Sequence, residues 1–477
     1  MSGPDPAEDV DTFLGRLVPF GYSGAALLAR RGEILLSEGY GLADRRVEAP
    51  NTPDTVFSLG SITKQFTAAA VLKLQERGLV DVASTIDAYL PEIPPDKAKV
   101  TLHHLLTHTS GVVEYLSGDY EPLSRPEAVR IGLGAPLRFE PGSSYGYSNG
   151  GYSLLAAIVE LVSGQGYEEF LNATFFAPLG MSSTGYRAPT WEGRTVARSY
   201  VDGVDRGTNL EKEFPSWAVM GNGEMLSTTL DMYRWHQALM GADVLSAEFK
   251  QALYSPFRNG YVYGRRVTEG RHGRRAEHGG ASSWGSCSYF RRYLDADLMF
   301  IVFCNRVDDG VFLPGAIREH VSALAFGEQS TLPPAAPVGV ESDLERLEGE
   351  RTLAGGGSVR LVPSGGHLRL LPLDGAARDE LFPGMLGRAE FEARSLQIVR
   401  SAAQGDLGPL TAARPAGRPT EAVERLVREF SGGRPQDGFE LLGTAPSQHV
   451  SGAFDTVIGT SDRESSLLLV WQDRLLY

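Results

Sequence analysis

Apolar positions along the 477-residue chain change their period several times, and each change marks a different kind of element. Over residues 5–19 they recur at helical spacing between charges, which predicts a short amphipathic helix. Residues 23–29 and 33–38 alternate instead and flank Arg31-Gly32, the pattern of a β-hairpin. From Ile62 the helical period returns through Phe66, Ala69, Ala70, Leu72 and Leu74, with Gly78 as the C-terminal cap. A mostly helical region is expected from about residue 101 to 181. Strands are expected to resume at 221–227 and to continue through Cys304, followed by a helix over 314–326. Strands early, helices in the middle and strands late imply one sheet with helices segregated beside it, an α+β domain.

The chain is too long for one ordinary core. Residues 327–342 carry Pro333, Pro334 and Pro337 among small residues and read as a linker. The expected organisation is a domain over 1–327, a linker over 328–343 and a β-rich domain over 344–477. In the last, short alternating runs recur at 358–362, 367–371, 391–392 and 396–399, then at 439–442, 454–458 and 466–471. A Gly/Pro/Ala-rich stretch at 405–418 places a sub-boundary near 405–420, and Thr420 caps an expected helix over 420–430. Such a pattern predicts a mostly antiparallel sandwich or barrel.

Composition is globular, 42% hydrophobic and 22% charged, without an apolar run long enough to span a membrane. The net charge of −14 argues against a nucleic-acid partner and against an anionic membrane surface. The acidic N-terminus has no basic segment followed by an apolar one, so it is not a secretory signal. Taken as the full gene product, the chain is expected to be cytoplasmic. Two cysteines cannot build a disulfide framework or a thiolate metal site. Residues 286–292 and 298–304 read as a hairpin turning at Asp295-Ala296, which sets Cys287 opposite Cys304. A cytosolic redox poise predicts a reduced pair of buried thiols.

Ser61-Ile62-Thr63-Lys64 puts a hydroxyl and an amine on one face of a helix, one turn apart. A serine in a first helical turn lies in the positive field of the helix dipole, beside unpaired backbone N–H groups. By chance this pattern arises roughly once in a chain of this length, and a capping serine with a solvated lysine would explain it equally well. Two further stretches change that balance. Tyr147-Ser148-Asn149 follows the turn residues Glu140-Pro141-Gly142 and precedes an apolar helix, so a phenol and an amide sit on a loop before a helix. His278-Gly279-Gly280, expected by chance in about one chain in twenty, precedes a hairpin strand. Its glycines suit a strand that a ligand must approach closely.

In this order and context the three motifs resemble the serine β-lactamase and penicillin-binding-protein superfamily, whose signatures are Ser-x-x-Lys, Ser-Asp-Asn and Lys-Thr-Gly. Tyrosine in the second motif is similar to class C β-lactamases, the related DD-peptidases and family VIII esterases. His-Gly-Gly in the third resembles the esterase, D-aminopeptidase and peptide-cyclase branches. Thr-Leu-His-His-Leu-Leu-Thr-His-Thr-Ser-Gly at 101–111, Pro-Leu-Gly-Met at 178–181 and Gly-Glu-Met-Leu-Ser-Thr at 223–228 support the likeness, which covers about residues 10–327. It implies a β-lactamase/transpeptidase-like sheet flanked by helices, with a helical subdomain. The tail resembles, more loosely, lipocalin-like β-domains. One departure is Ser283-Trp284, where members often carry Gly-Phe or Gly-Tyr, and it bears on the adjacent pocket wall. Glu168 imitates the deacylating glutamate of class A β-lactamases, but it follows the second motif too closely. It reads as a solvated helix face beside the core stripe Tyr167, Phe170, Leu171 and Phe175.

The resemblance implies that Ser61 attacks an ester or amide carbonyl to give an acyl-enzyme, with the N–H groups of Ser61 and Ala281 as oxyanion hole. Lys64 and Tyr147, its phenol acidified by Lys64, are the candidate bases and titrate as a unit. Asn149, with Gly279 and Gly280 beside it, is expected to orient the substrate. His278 replaces the third-motif lysine and can hydrogen-bond a carboxylate or Tyr147 without a permanent charge, which weakens the case for penicillins. No metal or cofactor is expected, because His103, His104 and His108 lack acidic or cysteine partners and read as helix residues. The expected activity is a serine hydrolase of small esters, amides or D-configured peptides. An acyltransferase or peptide cyclase using the same acyl-enzyme is the alternative. A β-lactamase or DD-peptidase is disfavoured by compartment, and a non-catalytic scaffold by the complete motif set. The sequence does not address the oligomeric state.

Overall fold

Leu298–Cys304 is buried at every position and pairs on both sides within a seven-stranded sheet. The computed structural model describes residues 5–333 except 213, 242, 283 and 308–312, and beyond them residue 356 and strand segments between 349 and 476. The first half of the chain supplies α1 (Pro6–Leu17), β1 (Gly24–Arg30), β2 (Glu33–Tyr40), α2 (Lys64–Glu76), α3 (Leu102–Leu106), α4 (Arg125–Gly134), α5 (Asn149–Ser163) and α6 (Tyr167–Leu171). After these come α7 (Thr229–Met240), α8 (Ala247–Ala252), β3 (Tyr261–Val262), β4 (Arg265–Gly270), β5 (Gly273–Ala281), β6 (Cys287–Tyr293), β7 (Leu298–Cys304) and α9 (Leu313–Ala325).

The sheet order is β2-β1-β7-β6-β5-β4-β3, and its pairs are antiparallel. Strands β3 to β7 form a meander, and the N-terminal hairpin joins it by setting Leu27 opposite Ile301. Successive side chains point to opposite faces. Ala25, Leu27, Met299, Ile301 and Phe303 face the helices that carry Phe66 and Trp235. Ala26, Leu28, Phe300 and Val302 face Phe13 of α1 and Ile317 and Val321 of α9. A strand covered on both faces reads as a continuous apolar run, and each large side chain so buried contributes about 1.5–3 kcal/mol. The β6–β7 register sets Cys287 opposite Cys304, and both thiols are buried.

Strands do not run unbroken from 221 to 304 as the sequence led us to expect. Leu226–Ser227 forms a short strand against Phe57–Ser58, and two helices, α7 and α8, then intervene. Thr228 caps α7 by accepting the Asp231 N–H at 3.1 Å, and Met232, Trp235 and Leu239 bury one stripe of it. Between 101 and 181, helices α3 to α6 are separated by irregular stretches at 107–124 and 135–148. Among the described residues no helix is long and apolar enough to cross a membrane.

The chain divides into two units, Met1–Pro337 and Val338–Tyr477. Among its described residues the second holds two antiparallel sheets. One is formed by Gly349–Thr352, Ser358–Ser364 and His367–Pro372, the other by Phe439–Pro446, Phe454–Thr460, Ser466–Gln472 and Leu475–Leu476. The strands expected at 391–392 and 396–399, the helix expected at 420–430 and the stretch 405–418 lie outside the described residues.

In the first unit a tight turn lies against β5. Gly60 adopts φ +48°, and a Cβ there would stand 2.6 Å from the Ala281 nitrogen. Opposite it, a Cβ on Gly280 would meet the Leu59 carbonyl oxygen at 2.0 Å and Ser288 Oγ at 2.5 Å. Ser288 Oγ donates to that same carbonyl at 2.7 Å, pinning the turn to the sheet. The close approach that Gly280 permits is therefore by the chain itself rather than by a ligand. Gly279 is exposed, and a Cβ there comes no nearer than 3.3 Å, to the Tyr289 ring. Gly280→Ala is expected to push the turn off the sheet and cost about 2 kcal/mol or more, read as a lowered urea midpoint, whereas Gly279→Ala leaves the midpoint nearly unchanged.

Candidate active site

Three segments converge on the amine of Lys64. The first is its own: Phe57–Ser58 pairs with Leu226–Ser227, Gly60 turns the chain, and a 3₁₀ turn over Gly60–Thr63 runs into α2. Thr63 Oγ1 donates to the Gly60 carbonyl at 2.8 Å and accepts the Met225 N–H at 3.1 Å, which locks the turn to the neighbouring segment. Ser61 is part-exposed, while Lys64 on the next turn is fully buried. Lys64 Nζ lies 3.1 Å from Ser61 Oγ, so the first motif is one hydrogen-bonded pair.

The second segment is the start of α5. Ser148 caps that helix by accepting the Gly151 N–H at 2.8 Å and donates to the Val113 carbonyl at 2.8 Å. This sets Tyr147 and Asn149 on either side of the cap. Asn149 Oδ1 accepts from Lys64 Nζ at 2.6 Å, so this amide orients the lysine directly. The Tyr147 hydroxyl hydrogen-bonds with Ser61, and Lys64 Nζ stands 4.7 Å from the centroid of its ring. The third segment was absent from the sequence reading of the site: the Asn222 carbonyl accepts from Lys64 Nζ at 2.6 Å. Asn222 is itself held by bonds from its amide to Ser153 Oγ and the Ala218 carbonyl, at 2.8 and 2.7 Å.

Burial drives the Lys64 ammonium well below the ordinary lysine range, against the opposing pull of Asp119, Glu114 and Glu224. Burial acts the other way on Tyr147, whose phenol is raised well above its ordinary value despite the bond to Ser61. The expectation of a phenol acidified by Lys64 is thus corrected. Desolvation of the phenolate outweighs any help from the amine, and the lysine is the group pushed toward its neutral form.

His278 occupies β5, with Gly279, Gly280 and Ala281 following it along the strand. Its Nδ1 lies 2.6 Å from the Gly279 carbonyl, which can only accept, so Nδ1 carries the proton and Nε2 accepts from Tyr261 Oη at 3.1 Å. Burial, then Lys64, pushes its imidazolium down to about 3, and the ring is neutral. The partner of His278 is Tyr261, not Tyr147, whose ring centroid is 6.4 Å away. Ala281 is exposed, with its nitrogen against the Gly60 turn that carries Ser61.

Two other expectations change. His108 is not a helix residue: at φ +58° it leaves α3 and lies buried beneath the site, with its ring 4.2 Å from that of Tyr147. Its Nδ1 accepts the Ser148 N–H at 3.1 Å, and burial and Lys64 keep it neutral. His103 and His104 are engaged separately, by Tyr263 Oη at 2.9 Å and the Thr101 N–H at 3.2 Å. Glu168 does not face solvent alone. Its carboxylate accepts the backbone N–H groups of Tyr186, Arg187 and Ala188, anchoring the loop whose Tyr186 hydroxyl bonds Gly221 and Gly223 beside Asn222. Trp284 meets Tyr120 edge-on at 5.1 Å, with Lys212 Nζ 4.0 Å from its ring centroid, and Ser283 lies outside the described residues.

Penicillin-binding protein 4* of Bacillus subtilis (strain 168) is 29% identical over 409 residues, 79% of this chain and 89% of its own. Esterase EstB of Burkholderia gladioli is 37% identical over 198 residues, covering 37% of this chain and half of the esterase. Among solved structures, the octameric penicillin-binding protein homologue from Pyrococcus abyssi shares the fold with a TM-score of 0.61 at 24% identity, over 78% of this chain and 89% of that one. The beta-lactamase family profile matches residues 21–325, and the chain belongs to that family of serine hydrolases.

Proposed function

We propose that the chain is a serine hydrolase that acylates Ser61 and cleaves small esters or amides, D-configured peptides among them, with 1–327 as the catalytic domain. The observation that carries this reading is the Lys64 amine. A neutral amine has two hydrogens and one lone pair. Asn149 Oδ1 and the Asn222 carbonyl, both at 2.6 Å, take the hydrogens, and the lone pair is left for the hydroxyl of Ser61 at 3.1 Å. Lys64 is thus a base within reach of its nucleophile.

In the proposed sequence Ser61 Oγ bonds to the substrate carbonyl carbon as its proton passes to Lys64. The oxyanion is met by the N–H groups of Ser61 and Ala281. As the intermediate collapses, the carbon–leaving-group bond breaks. Tyr147, protonated and bonded to Ser61, hands a proton to the leaving group and is reprotonated from Lys64. Water then attacks the acyl-enzyme by the same path in reverse, releasing the acid. An amine or alcohol in place of water gives acyl transfer or cyclisation.

The test is labelling with a fluorophosphonate, followed by location of the adduct by mass spectrometry, alongside turnover of activated esters. The adduct is expected on Ser61, and Ser61→Ala is expected to lose both label and turnover. Turnover that survives in that variant, or an adduct elsewhere, sinks the proposal. Adding amines during turnover distinguishes hydrolysis from transfer by the product formed.

A pH dependence accompanies it. The base must be deprotonated, so the labelling rate rises with pH through the midpoint of Lys64, which burial places below the ordinary 10.5. His278, already neutral above about 3, adds no second limb near neutrality. Lys64→Arg, which cannot lose its proton, is expected to abolish labelling across the same range, measured as second-order inactivation rates from pH 5 to 10.

A further inference from the structure

Glu224 has no role in the reaction as written above, yet its surroundings are unusual. It is a buried carboxyl at φ +62°, a backbone conformation that side chains other than glycine rarely adopt. Three donors converge on one of its oxygens, Oε2: Ser58 Oγ at 2.9 Å, Tyr120 Oη at 2.9 Å and Asn209 Nδ2 at 2.8 Å. Three donors on one oxygen is the pattern of an ionised carboxylate. Each comes from a different part of the chain. Ser58 lies three residues before Ser61, and its Oγ also accepts the Gly60 N–H at 3.2 Å. Tyr120 belongs to the irregular stretch at 107–124 and stacks edge-on against Trp284. Asn209 opens a 3₁₀ turn and also donates to Tyr120 Oη at 2.8 Å.

The backbone around Glu224 grips the same turn. Asn222 O holds Lys64, Met225 N–H bonds Thr63, and Leu59 N–H bonds the Met225 carbonyl at 2.8 Å. We propose that Glu224 is a positioning residue for the Ser61 site, its carboxylate tying the Tyr120 and Asn209 segments to the strand before the nucleophile, where its charge acts on the Lys64 amine. This rests on Ser61 being the acylated residue. The groups facing Glu224 are Asp119 and Tyr120 on the 107–124 stretch, Lys64 on α2, and Tyr186, whose Oη donates to the Gly223 carbonyl at 2.9 Å. Burial first, then Asp119, raises the Glu224 carboxyl to about 7 against the pull of its three donors. A charge that turns over near neutrality, coupled to Lys64, lets the positioning group tune the base.

The experiment is the pH dependence of Ser61 labelling by a fluorophosphonate in the full chain, wild type against Glu224→Gln, with thermal unfolding as the folding control. A nearby carboxylate favours the protonated lysine. Removing its charge is therefore expected to move the labelling midpoint to lower pH by about half a unit or more. A midpoint that stays in place while the plateau rate falls overturns the proposal, because a merely structural contact does that. Glu224→Asp keeps the charge, so its midpoint is expected to stay with wild type, and a shift as large as that of Glu224→Gln also overturns it. The coupling has a second readout that needs no labelling of Ser61. The Cε resonance of Lys64 is expected to titrate at lower pH in Glu224→Gln than in wild type, and equal midpoints refute the coupling. If wild-type Ser61 never labels, the acyl-enzyme reading fails instead, and the Lys64 titration still decides the Glu224–Lys64 coupling.

Discussion

The burial of one amine organises the site. Withdrawing an ammonium from water costs several kcal/mol, whereas each hydrogen bond from such a charged donor returns about 1.5–3 kcal/mol net. Two fixed acceptors, Asn149 Oδ1 and the Asn222 carbonyl, return only part of that loss, and burial drives the amine well below the ordinary lysine range. Those acceptors lie on different elements, and holding them in place requires that α2, α5 and the 222–225 segment meet within a few ångströms. Such meetings leave no room for side chains at the crossing points. Gly60 and Gly280 stand there, where the nucleophile turn crosses β5. Backbone packing and base chemistry are two outcomes of one constraint.

The same burial divides labour among the other titratable groups. Desolvation disfavours whichever form is charged, so it lowers Lys64, His108 and His278 and raises Tyr147. An amine, two imidazoles and a phenol side by side are thereby all driven toward neutrality. Of these the amine is the one made available as a base to Ser61: a weaker base than a solvated lysine, but with its lone pair free and facing the hydroxyl. The phenol keeps its proton and suits the opposite task of donation. The two histidines are plates: His108 supports Tyr147 and accepts from the Ser148 N–H, and His278 braces Tyr261.

Elements were legible in the sequence where a single force determined them. The both-faces-buried strand Leu298–Cys304 and the N-terminal hairpin follow from apolar period alone, and the Cys287–Cys304 register follows from the turn between their strands. Helix α7 was missed although Thr228, Met232, Trp235 and Leu239 carry its cap and stripe, because the neighbouring strand pattern was extended across it. His108 and Glu168 were misread for a different reason. A left-handed residue that ends a helix, and a carboxylate that gathers three distant N–H groups, depend on tertiary partners that local spacing does not encode. In the site, Ser61, Lys64, Tyr147 and Asn149 lie together as their motifs implied. Asn222 acts through its carbonyl, which any residue type has, so composition could not single it out.

The state of His278 narrows what the third motif can do. A lysine at that position would offer three donors and a charge to a substrate carboxylate. His278 spends its one N–H on the Gly279 carbonyl and its lone pair on Tyr261 Oη, leaving nothing for the cleft. The nearby Arg138 is engaged with the carbonyls of Val112, Gly146 and Tyr147, at 3.2, 2.8 and 2.7 Å. His278 itself therefore cannot replace that lysine as a donor to a carboxylate, whereas the cations of Arg266, which acts on His278, and Lys212, over the Trp284 ring, stand nearby.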